Sequence, residues 1–149
     1  MAIRTIRANN DEILRKKCRV VDEITDRVKI TVKDMIETMY EAQGVGLAAP
    51  QIGILRRIFV VDAQDGEGIR VFINPEILER RGSQVDYEGC LSLPGKQEEV
   101  DRSNYVKVKA LNENFEEFIL EAEGLLARAI QHENDHLDGI LFIDYGKRY

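Results

Sequence analysis

The sequence predicts an α+β fold, with antiparallel sheets packed around a C-terminal helix bearing His-Glu-x-x-His and an amphipathic helix nearer the N-terminus. Three observations predict it. Apolar residues recur at helical spacing towards each end of the chain. Runs rich in β-branched residues, separated by turn signals, fill the middle. No repeat and no linker divides the 149 residues, so residues 1–149 are expected to form a single domain.

The elements follow in order. Residues 11–18, DEILRKKC, suit a short helical turn. A longer helix is expected from Asp26 to Gln43. Val32, Met35, Ile36, Met39 and Tyr40 fall at i, i+3, i+4, i+7 and i+8, which draws one apolar stripe, and Gly44 suits its stop. RRIFVVDA (56–63) and IRVFINP (69–75) read as strands joined at Asp65-Gly66-Glu67-Gly68. YVKVKAL (105–111) alternates, and FEEFILEA (115–122) follows across Asn112-Glu113-Asn114, so the two should form a hairpin. A last helix is expected from Gly124 to Asp138. Leu125, Leu126, Ala129, Ile130 and Leu137 supply its apolar face and Gly139 its C-terminal stop.

Charge and composition narrow the partners. A net charge of −6 argues against a DNA-binding protein, which would need a basic face. The apolar runs, such as Ile58-Phe59-Val60-Val61, are too short to span a membrane, and the N-terminus carries no apolar leader. The cytoplasm is therefore the expected compartment. Two cysteines are too few for a disulfide scaffold. Nothing marks an association surface, and a monomer is expected.

The chain's only two histidines, His132 and His136, stand four apart in QHENDHLDG (131–139). Residues four apart on a helix share a face, so both imidazoles can meet one metal ion, with Glu133 beside them as a general base. A catalytic metal wants three protein ligands and one open position. With no third histidine, the third ligand must be Cys, Asp or Glu. Only 13 residues follow His136, and they offer Asp138 and Asp144. Cys90, in the strand-like segment EGCLSLPG (88–95), is the stronger candidate, because Gly89 leaves room beside its sulfur. Cys18 follows two lysines in a short amphipathic turn and reads as structural. A third segment, GVGLAAPQIG (44–53), lacks the spacing of a nucleotide loop. Its glycines suit close backbone approach to a ligand, and Gln51 could donate to an oxyanion, although an ordinary helix-to-strand loop would look the same.

Together, Gly44-Val45-Gly46-Leu47-Ala48-Ala49-Pro50-Gln51, Glu88-Gly89-Cys90-Leu91-Ser92 and Gln131-His132-Glu133-Asn134-Asp135-His136 resemble the three signatures of the peptide deformylase family, in the same order and at similar spacing. The resemblance extends over nearly the whole chain, and the three motifs in order are far more specific than any one. It implies one divalent metal ion, usually Fe²⁺ with Zn²⁺, Ni²⁺ or Co²⁺ as possible occupants, held by Cys90, His132 and His136. It implies N-formylmethionyl nascent peptides as substrate, Glu133 as the base, and Gln51 with the backbone N–H of Leu91 as oxyanion donors. Val45, Leu125 and Ala129 match pocket positions for the methionine side chain. Gly44, Gly46 and Glu88 match positions that line or anchor the site, where the substrate backbone adds as an extra strand. Arg128 would snorkel at the pocket rim or face solvent. Some members carry a longer C-terminal helix that docks on the ribosome; with 13 residues after His136, the ribosome surface is the least supported of the implied partners. Asp86 and Tyr87 are more polar than a pocket wall wants, which bears on side-chain selectivity.

Two other classes compete with that reading. A metalloprotease using the same helix would need a third ligand other than Cys90. A non-catalytic binding module would be expected to have lost one of Gln51, Cys90, His132, Glu133 or His136, and all five are present.

Overall fold

The computed structural model describes residues 2–145. Among them, helix α1 spans Asp26–Glu41 and helix α2 spans Gly124–His136. The strands are β1 Gly46–Ala48, β2 Ile58–Val61, β3 Arg70–Arg81, β4 Gln84–Glu88, β5 Glu98–Arg102, β6 Tyr105–Leu111 and β7 Glu117–Glu123. One antiparallel sheet has the order β1-β2-β3-β6-β7, and β4 pairs with β5 in a separate antiparallel ribbon. The expected class, α+β with antiparallel sheets, is what the chain forms. No helix among the described residues is long and apolar enough to cross a membrane.

Strand β2 decides the layering. All four of its residues are buried, and successive side chains on a strand point to opposite faces. Ile58 and Val60 pack with Val32, Met35 and Met39 of α1. Phe59 and Val61 pack with Ala127 and Ile130 of α2. The sheet therefore lies between the two helices. Phe59 stacks on Phe72 with ring centroids 4.6 Å apart, and truncating such a ring to alanine costs about 3–5 kcal/mol.

Helix α1 begins where expected, with the Thr25 hydroxyl oxygen accepting the Val28 N–H at 3.2 Å. It ends earlier, and the left-handed stop is Gln43 at φ 59, not Gly44. The N–H groups of Gln43 and Gly44 fold back onto the carbonyls of Tyr40 and Met39. The buried stripe is also rotated. Tyr40 is exposed and its hydroxyl donates to Asp62, while Asp34 and Thr38 are buried. They are covered by the N-terminal segment, whose Ala2 N–H donates to Asp34 and whose Arg4 N–H donates to the Thr38 hydroxyl.

Strand β3 continues past Pro75 to Arg81, where the sequence suggests a stop at residue 75. Asn74 takes a left-handed φ of 51, and the register against β6 shifts between Ile73 and Glu76. Pro75, which has no N–H, sits where the ladder is already interrupted. The ribbon β4–β5 has no counterpart in the sequence reading. It brings the end of β4 to the N-terminal half of α2, and that places the site.

Candidate active site

Helix α2 turns His132, Glu133 and His136 to the buried side of the molecule, each less than 10% exposed. Cys90 does not lie in a strand as expected. It stands two residues past β4, in a turn where the Leu93 N–H donates to its carbonyl. The turn lifts the sulfur towards α2, and Cys90 Sγ lies 3.4 Å from His136 Nε2. One donor atom each from Cys90, His132 and His136 falls within 4.8 Å of the others. The other acidic candidates are engaged elsewhere: Asp138 pairs with Arg57 at 3.0 Å and Asp144 with Arg15 at 2.7 Å. Cys18 is in the core, where burial pushes its thiol up to about 11.

His132 is held from behind. Its Nδ1 lies 2.9 Å from Glu88 Oε1, so in the neutral ring the proton sits on Nδ1 and the Nε2 lone pair faces the site. Glu88 Oε2 accepts from Arg102 at 2.8 Å and from Arg128 at 2.5 Å. Burial would raise the Glu88 carboxyl, but Arg102 and His132 overcome it and hold it down at about 2. Arg102 passes the chain of contacts on to Asp135 at 2.6 Å, and Asp135 also accepts the Tyr145 hydroxyl at 2.8 Å. Arg128 thus neither snorkels nor faces solvent. It is 5% exposed, because the ribbon β4–β5 covers it and supplies its acceptors.

Gln51 comes from a 3-10 turn, Ala49–Ile52, directly after β1. It is buried, with Oε1 accepting the Ala48 N–H at 2.9 Å. Its Nε2 donates to Ser92 Oγ at 3.0 Å and reaches Cys90 Sγ at 3.5 Å, so one amide hydrogen is aimed at the cluster. The Leu91 N–H has no hydrogen-bond partner among the described residues. Gly44 and Gly46 are required sterically. A β-carbon on Gly44 would stand 2.7 Å from Leu91 Cδ1, and one on Gly46 would stand 2.6 Å from Glu133 Oε2.

These groups share one cavity of about 360 Å³, lined by Gly44, Val45, Gly46, Gln51, Glu88, Cys90, Leu91, Leu125, Ala129, His132 and Glu133 among others. That volume suits a small ligand or one large side chain. Its wall joins backbone at Gly44–Gly46 to apolar side chains at Val45, Leu125 and Ala129. Burial raises the Glu133 carboxyl to about 7, and its Oε1 is buried without a partner among the described residues.

The donor set fits a divalent cation. Thiolate and two imidazoles are the ligands of a tetrahedral catalytic site, and bonds of about 2.0–2.3 Å to one ion put neighbouring donors roughly 3.5 Å apart. The Cys90–His136 separation matches that edge. The charge pattern agrees. Burial alone would favour neutral His132, but the Cys90 sulfur, Glu133 and Glu88 together hold its proton up to about 10. The cluster attracts positive charge, and its neighbour His136 is driven well below the ordinary range by burial and by His132.

Of the residues that the sequence nominates for metal, base, oxyanion and pocket, all but His136 line this one cavity, and His136 stands next to it, in contact with the Cys90 sulfur. Sequence reasoning missed Arg102, Asp135, Ser92 and the bond of Arg128 to Glu88. Arg102 lies outside the three segments and carries no local signal, because charged residues are surface residues by default. Ser92 and Asp135 stand inside two of the segments, at positions to which no role was given.

Comparison with known proteins agrees along the chain. A family profile described as polypeptide deformylase matches residues 3–149. Peptide deformylase 1 of Clostridium perfringens is 70% identical over 145 residues, covering 97% of this chain and 99% of that protein. Peptide deformylase of Clostridium botulinum is 65% identical over 144 residues, covering 97% of each. The crystal structure of peptide deformylase from Thermotoga maritima superposes with a TM-score of 0.93 at 46% identity, covering 97% of this chain and 98% of that one.

Proposed function

The chain belongs to the polypeptide deformylase family, and from that premise we propose which of its residues carry the reaction. The function is that of the family: a metal-dependent hydrolase that removes the formyl group from the N-terminal formyl-methionine of nascent polypeptides, releasing formate. The observation that carries the residue assignment is the convergence of donor atoms from Cys90, His132 and His136 within 4.8 Å of one another, at the edge of a cavity that Cys90, His132 and Glu133 line.

Cys90, His132 and His136 hold the metal ion. That ion, Fe²⁺ in the cell with Zn²⁺, Ni²⁺ or Co²⁺ able to substitute, would lower the pKa of water and polarise the formyl carbonyl. Glu133 removes a proton from the attacking water and returns it to the nitrogen that leaves as the C–N bond breaks. The Gln51 amide and the Leu91 N–H donate to the oxyanion that develops on the formyl oxygen. Val45, Leu125 and Ala129 take the methionine side chain, and Gly44 and Gly46 let the peptide backbone pass close to β1 and pair with it. Glu88 acts from behind the cavity, orienting His132. Residues 1–149 work as a single deformylase domain, monomeric and cytoplasmic, with the ribosome surface the least supported of its partners.

The test of the ligand set is metal analysis of single variants. Cys90→Ala, His132→Ala and His136→Ala should each lose the ion, whereas Glu133→Ala should keep it and lose turnover. An ion retained in full by Cys90→Ala would overturn the assignment and favour a protease-like site with a carboxylate ligand.

A further inference from the structure

We propose that Arg128 is a positioning residue for His132, acting through the carboxylate of Glu88. The proposal rests on His132 being a metal ligand. Arg128 and His132 lie one turn apart on the same face of α2. Both reach back to one side chain on the end of β4. Arg128 Nη1 donates to Glu88 Oε2 at 2.5 Å, and His132 Nδ1 meets Glu88 Oε1 at 2.9 Å. Glu88 thus bridges two residues of the helix that presents the ligands.

Arg102 is the other hold on that carboxylate. It grips both oxygens, Nε to Oε2 at 2.8 Å and Nη2 to Oε1 at 2.9 Å, from the side of Asp135, to which its Nη1 donates at 2.6 Å. A carboxylate has about four lone-pair sites. Arg102 fills two and Arg128 a third, which leaves one on Oε1 for His132. Arg128 is itself anchored to main chain. Its Nη2 donates to the carbonyls of Gln84 at 2.8 Å and Val100 at 3.0 Å, and its Nε to Gln84 Oε1 at 3.2 Å. The planar guanidinium spans all these acceptors at once, which an ammonium cannot do. The position of the ribbon β4–β5 is thereby transmitted, through Arg128 and Glu88, to the ring orientation of His132.

The experiment is Co²⁺ titration of the metal-free full chain, following the thiolate-to-cobalt absorption band. Wild type, Arg128→Met, Arg128→Lys, Glu88→Gln and the Arg128→Met/Glu88→Gln double variant are compared, with thermal unfolding of each as a fold control. Groups that orient a ligand typically affect metal affinity by about 10–100-fold. Arg128→Met should raise the Kd for Co²⁺ by that factor and shift the band. Arg128→Lys should fall between it and wild type, and gives the answer if the methionine variant does not fold. In the Glu88→Gln background, Arg128→Met should add little, because the route to His132 is already cut. A folded Arg128 variant with wild-type affinity and an unchanged band would overturn the proposal, as would a full additive effect in the Glu88→Gln background. A wild-type chain that takes up no Co²⁺ would instead overturn the metal reading on which it rests.

Discussion

A β-carbon on Gly46 would stand 2.6 Å from Oε2 of Glu133 and 2.9 Å from its Cγ. Strand β1 therefore lies against the side chain assigned as base, with no room for even a methyl group. Gly46 is not among the residues with positive φ, so its backbone alone does not require glycine.

Replacing Gly46 with alanine should move the Glu133 carboxylate while leaving Cys90, His132 and His136 in place. A displacement of about 1 Å at a reacting group can cost 10²-fold in rate. The expected outcome is kcat lower by about 10–10²-fold with metal content unchanged, read by formate release and metal analysis on the same sample. Loss of the metal, or wild-type kcat, would contradict it.

Gln51→Met keeps the side-chain volume and removes both amide hydrogens, one of which is aimed at Cys90. Removing one oxyanion donor costs about 10²–10³ in kcat. That loss is expected here with KM changed much less. A KM effect with kcat intact would make Gln51 a binding group and not an oxyanion donor.

The site was far more legible than the scaffold that holds it. His132, Glu133 and His136 could be placed together because four residues of helix make one turn, and Gln51 and Cys90 stood in the two segments rich in glycine. What lay behind them was hidden. The ribbon QVDYE with EEVDR shows no apolar alternation, because most of β4 is exposed and β4 pairs only with β5. The continuation of β3 was masked by Pro75, which ends a strand unless a register shift accommodates it. Arg102, Arg128 and Glu88 are buried only because they satisfy one another, and no single position reveals that. The stop at Gly44 was misread for a related reason. Its glycine answers to Leu91 across the cavity and not to the end of α1.

Asp34 gives the fold a calculable dependence on acid. Burial would raise its carboxyl, but the Ala2 N–H and the Arg4 guanidinium outweigh that and hold it below the usual range. Its folded pKa is thus lower than its unfolded value. The stabilisation is fully present above the unfolded pKa of about 3.9 and is lost as pH falls through the folded value. Asp34→Asn should lower stability at pH 7 by about 1–3 kcal/mol, the range for a hydrogen-bonded charged group that loses its match. The gap from wild type, measured by urea unfolding, should narrow as pH falls below the carboxylate range. A gap that stays constant down to acid pH would show that the charge of Asp34 does not contribute.

The most direct test of the account is formate release from a formyl-methionyl tripeptide. The protein is purified without oxygen, loaded to one Fe²⁺ or Ni²⁺ per chain, and run beside Glu133→Ala and an acetyl-methionyl control. The account predicts rapid release by wild type, loss of release in Glu133→Ala with the metal still bound, and no cleavage of the acetyl peptide. No release from wild-type protein that carries its one metal, or equal cleavage of the formyl and acetyl peptides, would contradict it.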